Sequence, residues 1–146
     1  VSATRKYFSS CHALLLAVLA TSTWFFVSAA AEASDAIPKQ VSLIINGKRL
    51  VASNIRFSRF DEIKLGAQER IEEQAEGKGV VVVITNQRVI GYGINAGWRD
   101  LKTQAGEKLE SLKVEDFAVF VTTDMRYLNF NGETGVWGER DRRTAR

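Results

Sequence analysis

The sequence predicts an all-β fold built from about three copies of one antiparallel β-meander unit of 38–39 residues. Three observations predict it: self-similarity at a fixed spacing, short β-branched runs, and turn residues at matching places in each copy. Glu69–Arg88 reads ERIEEQAEGKGVVVVITNQR, and Glu107–Arg126 reads EKLESLKVEDFAVFVTTDMR. At an offset of 38 without a gap, Glu69 meets Glu107, Ile71 meets Leu109, Glu72 meets Glu110, Thr85 meets Thr123 and Arg88 meets Arg126. A constant spacing of this size is the signature of stacked repeats.

The N-terminus reads as something other than a repeat. Arg5 and Lys6 precede a run without charge from Ala13 to Ala31, which ends in small residues, Ala29-Ala30-Ala31 and Ala31-Glu32-Ala33. That layout predicts a helical signal peptide over residues 1–33, with the mature chain starting at Glu32 or Ser34. An uncleaved membrane anchor is the alternative reading, because the run is nearly long enough to span a bilayer. Either way the positive residues come first, so the remainder is expected to be exported, to a periplasm or beyond the cell.

The repeat domain is expected over 34–140, in units of about 41–66, 67–104 and 105–140. In the first unit, Val41–Ile45 leads to a Gly47-Lys48 turn and a second apolar stretch, then to Phe60-Asp61. At an offset of 39, Arg49 falls opposite Arg88, and with a slip to 38, Phe60 lies opposite Trp98. The second unit supplies the clearest strands: Val80–Thr85, then Arg88–Ile94 after Asn86-Gln87, then Trp98–Lys102 after Asn95-Ala96-Gly97. β-branched runs bounded by such residues favour strands, and Asn, Asp and Gly tolerate the positive φ of tight hairpin turns. The third unit repeats this with Lys108–Lys113, Ala118–Val121, a turn at Asp124-Met125 and a break at Asn131–Gly135 before Trp137. Asp61–Gln74 has a composition open to an amphipathic helix. Its equivalence to 99–112 predicts strand instead. The end of the chain, 141–146, is rich in arginine and is expected to be a disordered basic tail.

The shared pattern V-x-V-x-T-[ND]-x-R-x-[IL]-x-[YF], followed by a Gly-Trp pair and a later Gly-Glu-[KR]-Leu-Glu, resembles the blade of bacterial β-propeller-like repeat proteins. The resemblance covers about Val41–Arg140. It implies a radial arrangement of sheets and leaves activity open, because such scaffolds host many functions. Propellers normally close with at least four blades. Three units therefore fit a protomer that completes a ring with other chains, an incomplete copy of a longer propeller, or a β-trefoil, for which three is the natural number. A small pleckstrin-homology-like barrel is a further alternative, from the strand Ile84-Thr85-Asn86-Gln87-Arg88.

Composition narrows the chemistry. Cys11 and His12 are the only cysteine and histidine, and both lie in the expected leader. The mature chain therefore excludes disulfides, thiolate or imidazole metal ligands, and nucleophile systems that need histidine. No metal or cofactor is expected. From Ser34 onward, 18 basic side chains face 16 acidic ones, too even a balance for nucleic-acid binding.

Five residues stand out as candidate ligand contacts. Arg49, Arg88 and Arg126 recur at the start of the second strand, where Arg88 suits a structural pair with Thr85 or a nearby carboxylate, and the three together suit a ring gripping an anion. Trp98 and Trp137 suit packing anchors or, if exposed, stacking platforms for a sugar. Tyr92 and Phe130 read as core. Asp61, Asp100 and Glu139 recur after the aromatic position, and Glu69 with Glu107 recurs too, which favours solvated faces or ion pairs between units over a unique acid–base pair. The expectation is a non-catalytic exported binding or assembly module, self-associating through strand edges or meeting another exported protein, an anion or a carbohydrate. A histidine-free carbohydrate-active enzyme with two carboxylates is the runner-up.

Overall fold

The computed structural model describes residues 37–142. The expected leader and residues 143–146 of the basic tail lie outside the described residues. Eleven strands of six residues follow one another: β1 (Val41–Asn46), β2 (Arg49–Asn54), β3 (Arg59–Lys64), β4 (Ile71–Glu76), β5 (Val80–Thr85), β6 (Arg88–Gly93), β7 (Gly97–Lys102), β8 (Leu109–Val114), β9 (Ala118–Thr123), β10 (Arg126–Asn131) and β11 (Val136–Asp141). They form three antiparallel meanders, β1-β2-β3, β4-β5-β6-β7 and β8-β9-β10-β11. No helix occurs among the described residues, and the stretch 61–74 runs from the end of β3 through a loop at 65–70 into β4. No sheet closes into a barrel, which sets aside the trefoil and the small-barrel alternatives.

Alternation along β5 explains how the middle sheet serves two cores, one on each face. Val81 and Val83 point toward the first sheet, where they join Val41, Leu50, Ala52, Ile90 and Tyr92. Val80, Val82 and Ile84 point the other way, onto Val119, Val121, Leu128 and Phe130 of the third. Successive side chains of a strand face opposite sides, so an unbroken β-branched run suits a sheet covered on both faces. Each such side chain stabilises the fold by about 1.5–3 kcal/mol when fully buried. The sheets approach closely where glycine allows it. A Cβ on Gly91 would come 2.8 Å from the Phe130 ring, and one on Gly93 would come 2.3 Å from the Gly132 carbonyl oxygen.

Two local expectations need correction. Of the turns at Gly47-Lys48, Asn86-Gln87 and Asp124-Met125, only the first uses a positive φ, at Gly47 (58°), where the two-residue loop leaves Asn46 paired with Arg49. In the second and third units the last pairs are Ile84–Val89 and Thr122–Tyr127, so those loops hold four residues. There a threonine hydroxyl closes the loop: Thr85 Oγ1 accepts from the Gln87 and Arg88 N–H groups, and Thr123 Oγ1 from those of Met125 and Arg126. The second correction concerns register. Asp100 pairs across from Ile90, Glu139 from Leu128 and Glu62 from Val51. Glu62, not Asp61, is thus the equivalent of Asp100 and Glu139. The ordered chain also extends past 140: Asp141 ends β11, and Arg142 N–H donates to the Met125 carbonyl.

Candidate functional site: end faces and arginine latches

In the second and third units, the arginine that opens the second strand reaches back to the preceding sheet. Arg88 Nε donates to Glu69 Oε1 at 2.8 Å and Nη2 to Glu69 Oε2 at 3.1 Å. Glu69 Oε1 also accepts from the Thr85 hydroxyl (2.8 Å), and Oε2 from the Gly66 N–H (2.8 Å). Arg88 reaches Asp100 at 3.3 Å and the carbonyl of Lys64, the last residue of the first sheet, at 3.0 Å. The third unit repeats every contact. Arg126 binds Glu107 (2.8 and 2.9 Å), Glu139 (2.5 Å) and the Lys102 carbonyl (2.7 Å), while Thr123 donates to Glu107 at 2.7 Å. Each arginine is therefore a latch that fastens its sheet to the end of the preceding one.

Both latch carboxylates are buried, at 2% side-chain exposure for Glu69 and 1% for Glu107. Burial alone pushes each carboxyl up. Hydrogen bonds from the arginine, from a backbone N–H and from the threonine, with the arginine charge, outweigh it and hold both below the ordinary 4.5. A carboxylate whose pKa is depressed by folding contributes stability that is complete above its unfolded pKa and disappears as pH falls through the folded one. Stability is accordingly expected to be flat at neutral pH and to fall below about pH 4.5. A Glu69→Gln/Glu107→Gln double variant, less stable at neutral pH, should show a shallower acid slope in urea titrations than the parent.

Arg49 departs from its counterparts. Its Nε lies 3.5 Å from Glu62, and its side chain is 58% exposed, against 19% for Arg88 and 7% for Arg126. Glu62 supplies the equivalent of Asp100. Among the described residues nothing supplies the equivalent of Glu69, because the first sheet has no strand corresponding to β4.

The two tryptophans lie half-buried on the cores, apart from any shared cleft. Trp98 meets Tyr92 edge-on at 5.0 Å, and its indole N–H donates to the Asp61 carbonyl at 3.0 Å. Trp137 meets Phe130 at 4.8 Å, with its own indole N–H buried and unpartnered among the described residues. Tyr92 and Phe130 are core, as read from the sequence. The Tyr92 hydroxyl donates to Asp61 (2.5 Å) and accepts from Asn54 (2.9 Å), a polar contact that pins the first sheet to the second.

What the sequence reading missed is the outer face of the third sheet. Phe120, Thr122, Tyr127, Asn129, Gly138 and Arg140 line an open groove of about 450 Å³ there. Phe120 is 42% and Tyr127 46% exposed. By the 38-residue offset these two are the counterparts of Val82 and Val89, which are buried against the third sheet. The outer face of the first sheet is exposed in the same way. Its Ile44 (49%) and Phe60 (70%) are exposed, yet their counterparts Val83 and Trp98 pack against the first sheet. The signal was present in the repeat, where the counterparts of Phe120 and Tyr127 at the 38-residue offset are the apolar Val82 and Val89.

No protein-family model, curated protein or solved structure matches this chain. Among the described residues, no group of histidine, cysteine or carboxylate side chains is placed to hold a metal ion. Asp100 and Glu139, the carboxylates nearest the tryptophans in sequence, are both held by latch arginines.

Proposed function

We propose that this protein is an exported, non-catalytic assembly module that joins a second copy of itself, end face to end face, with its sheets arranged radially like propeller blades. The observation that carries the reading is the exposure of Phe120 and Tyr127 at positions whose counterparts, Val82 and Val89, are buried between sheets. The first and third sheets present the two complementary halves of an interface that the chain already makes twice internally. The two end faces differ and complement each other, so two copies joined head to tail can satisfy both ends at once and close a ring of six sheets. Six also meets the minimum for propeller closure, which three does not. The proposed export rests on Arg5, Lys6 and the uncharged run from Ala13 to Ala31.

Light scattering tests the assembly. The purified protein is expected to show a molar mass that rises with concentration toward twice the monomer value. Phe120→Glu places a charge where the neighbouring sheet would lie, and should hold the protein at monomer mass with its β-sheet circular dichroism intact. A monomer at every concentration in the parent protein would sink the proposal, as would an equally dimeric Phe120→Glu variant.

A further inference from the structure

The open edge of β1 and the exposed Arg49 beside it rest on an observation separate from the end faces. Six strands lie at sheet edges: β1, β3, β4, β7, β8 and β11. Five of them carry charged side chains, as edges generally do to discourage pairing with other chains. β4 holds Glu72, Glu73 and Glu76, β8 holds Glu110 and Lys113, and the three closing strands each hold both signs. β1, VSLIIN, has none. In this it matches β5 (VVVVIT) and β9 (AVFVTT), the interior strands that occupy its position in the other two units. β1 is an interior strand whose outer neighbour is missing among the described residues.

The latch beside it is missing the same piece. In the second and third units the incoming edge strand is preceded by a glutamate, Glu69 or Glu107, that caps the arginine. The residue after it is fixed by the hairpin turn: Arg70 N–H donates to Asn86 Oδ1 and Lys108 N–H to Asp124 Oδ1, both at 2.8 Å. At the first unit the arginine is present and, among the described residues, the acid is not. Asn46 stands where Thr85 and Thr123 do, with a side-chain amide able to donate to a carboxylate. Gly47 replaces the turn residue and leaves only backbone there.

We propose that the edge of β1 is a strand-acceptor site for an extended segment of another polypeptide. That segment carries a glutamate that docks on Arg49, followed by a basic, an aliphatic and an acidic residue. This is the pattern shared by Glu69-Arg70-Ile71-Glu72 and Glu107-Lys108-Leu109-Glu110. The register follows from the second unit. There β4 pairs with β5 from Ile71–Thr85 to Glu76–Val81, which places the added strand along Ser42–Asn46. Backbone hydrogen bonds give such strand addition its affinity, and the buried acid–arginine pair gives it selectivity. The chain's own residues do not fit the pattern. Ala30 stands 39 residues before Glu69 and Arg146 stands 39 after Glu107, so neither aligned position carries the acid, and Glu32-Ala33-Ser34-Asp35 lacks the basic and aliphatic residues that follow it.

The probe is a fluorescent peptide with the sequence of Gly66–Gly77, GAQERIEEQAEG, titrated into the purified full chain and followed by anisotropy. Amide hydrogen exchange is read on the same samples. Saturable binding is expected, with new protection confined to Ser42–Asn46. A peptide with Gln in place of the first Glu, or protein carrying Arg49→Met, should bind at least tenfold more weakly. Arg49 is exposed, so Arg49→Met is expected to keep the parent circular dichroism and isolate the contact. The idea is overturned by absent binding, by equal binding of the Gln peptide, or by indifference to Arg49→Met. It is also overturned if the peptide protects Val80–Thr85 by displacing β4, or if Ser42–Asn46 is already protected without peptide and stays unchanged. Phe120→Glu should leave peptide binding unaltered, so failure of the end-face reading and failure of this one are told apart.

Discussion

Arg126→Met is expected to lower the unfolding free energy by about 3–5 kcal/mol, the cost of leaving a buried carboxylate without its cation. Glu107 is 1% exposed and would keep only the Thr123 hydroxyl and the Gln104 N–H. Glu139 and the Lys102 carbonyl would lose their donor at the same moment, loosening the third sheet from the end of the second. The cost comes from the stranded charge more than from the lost attraction, since bringing both ions out of water was itself expensive. Removing both members, as in Arg126→Met/Glu107→Met, should therefore recover much of the loss. Arg49→Met gives the contrast: an exposed pair at 3.5 Å contributes about 0–1 kcal/mol. Urea unfolding of the three variants checks the ordering, and an Arg126→Met as mild as Arg49→Met would refute the latch.

The repeat was legible because each sheet solves the same packing problem with the same residues. Glu69 and Glu107, Thr85 and Thr123, and Arg88 and Arg126 recur because every latch needs an acid, a hydroxyl and a guanidinium at fixed separations. The strand assignment over 61–74 followed from that equivalence, where composition alone was ambiguous between helix and strand. What spacing could not reveal was register. Asp61 follows Phe60 directly, whereas Asp100 and Glu139 follow their tryptophans by two residues, so one residue of slip moved Asp61 to the other face, onto Tyr92. Nor could a linear pattern tell the three arginines apart. Arg88 and Arg126 have acceptors for every guanidinium nitrogen, while Arg49 lacks the glutamate strand, and only the sheet arrangement separates these cases. Phe120 and Tyr127 were hidden for a related reason. An alternating apolar strand looks the same whether the next sheet is present or absent.

Phe130→Ala should cost about 3–5 kcal/mol, at the upper end for a core aromatic. The ring is 1% exposed and lies between Trp137 at 4.8 Å and the backbone of Gly91 in the second sheet. Part of that cost is lost transfer free energy, and part is a cavity that two hydrogen-bonded sheets cannot collapse to fill. The same rigidity makes the glycine matter. Gly91→Ala sets a methyl 2.8 Å from the ring, and neither the sheet nor a ring wedged on Trp137 has room to retreat, so about 1–3 kcal/mol is expected from overpacking. The two positions must then be coupled. In a Gly91→Ala/Phe130→Leu protein the smaller side chain leaves space for the new methyl, and the combined loss should be less than the sum of the single losses. Strict additivity would mean that the second and third sheets do not meet at this contact. Because Phe120 and Tyr127 lie on the opposite face of the third sheet, neither substitution touches that exposed face, and the coupling reports the internal sheet contact alone.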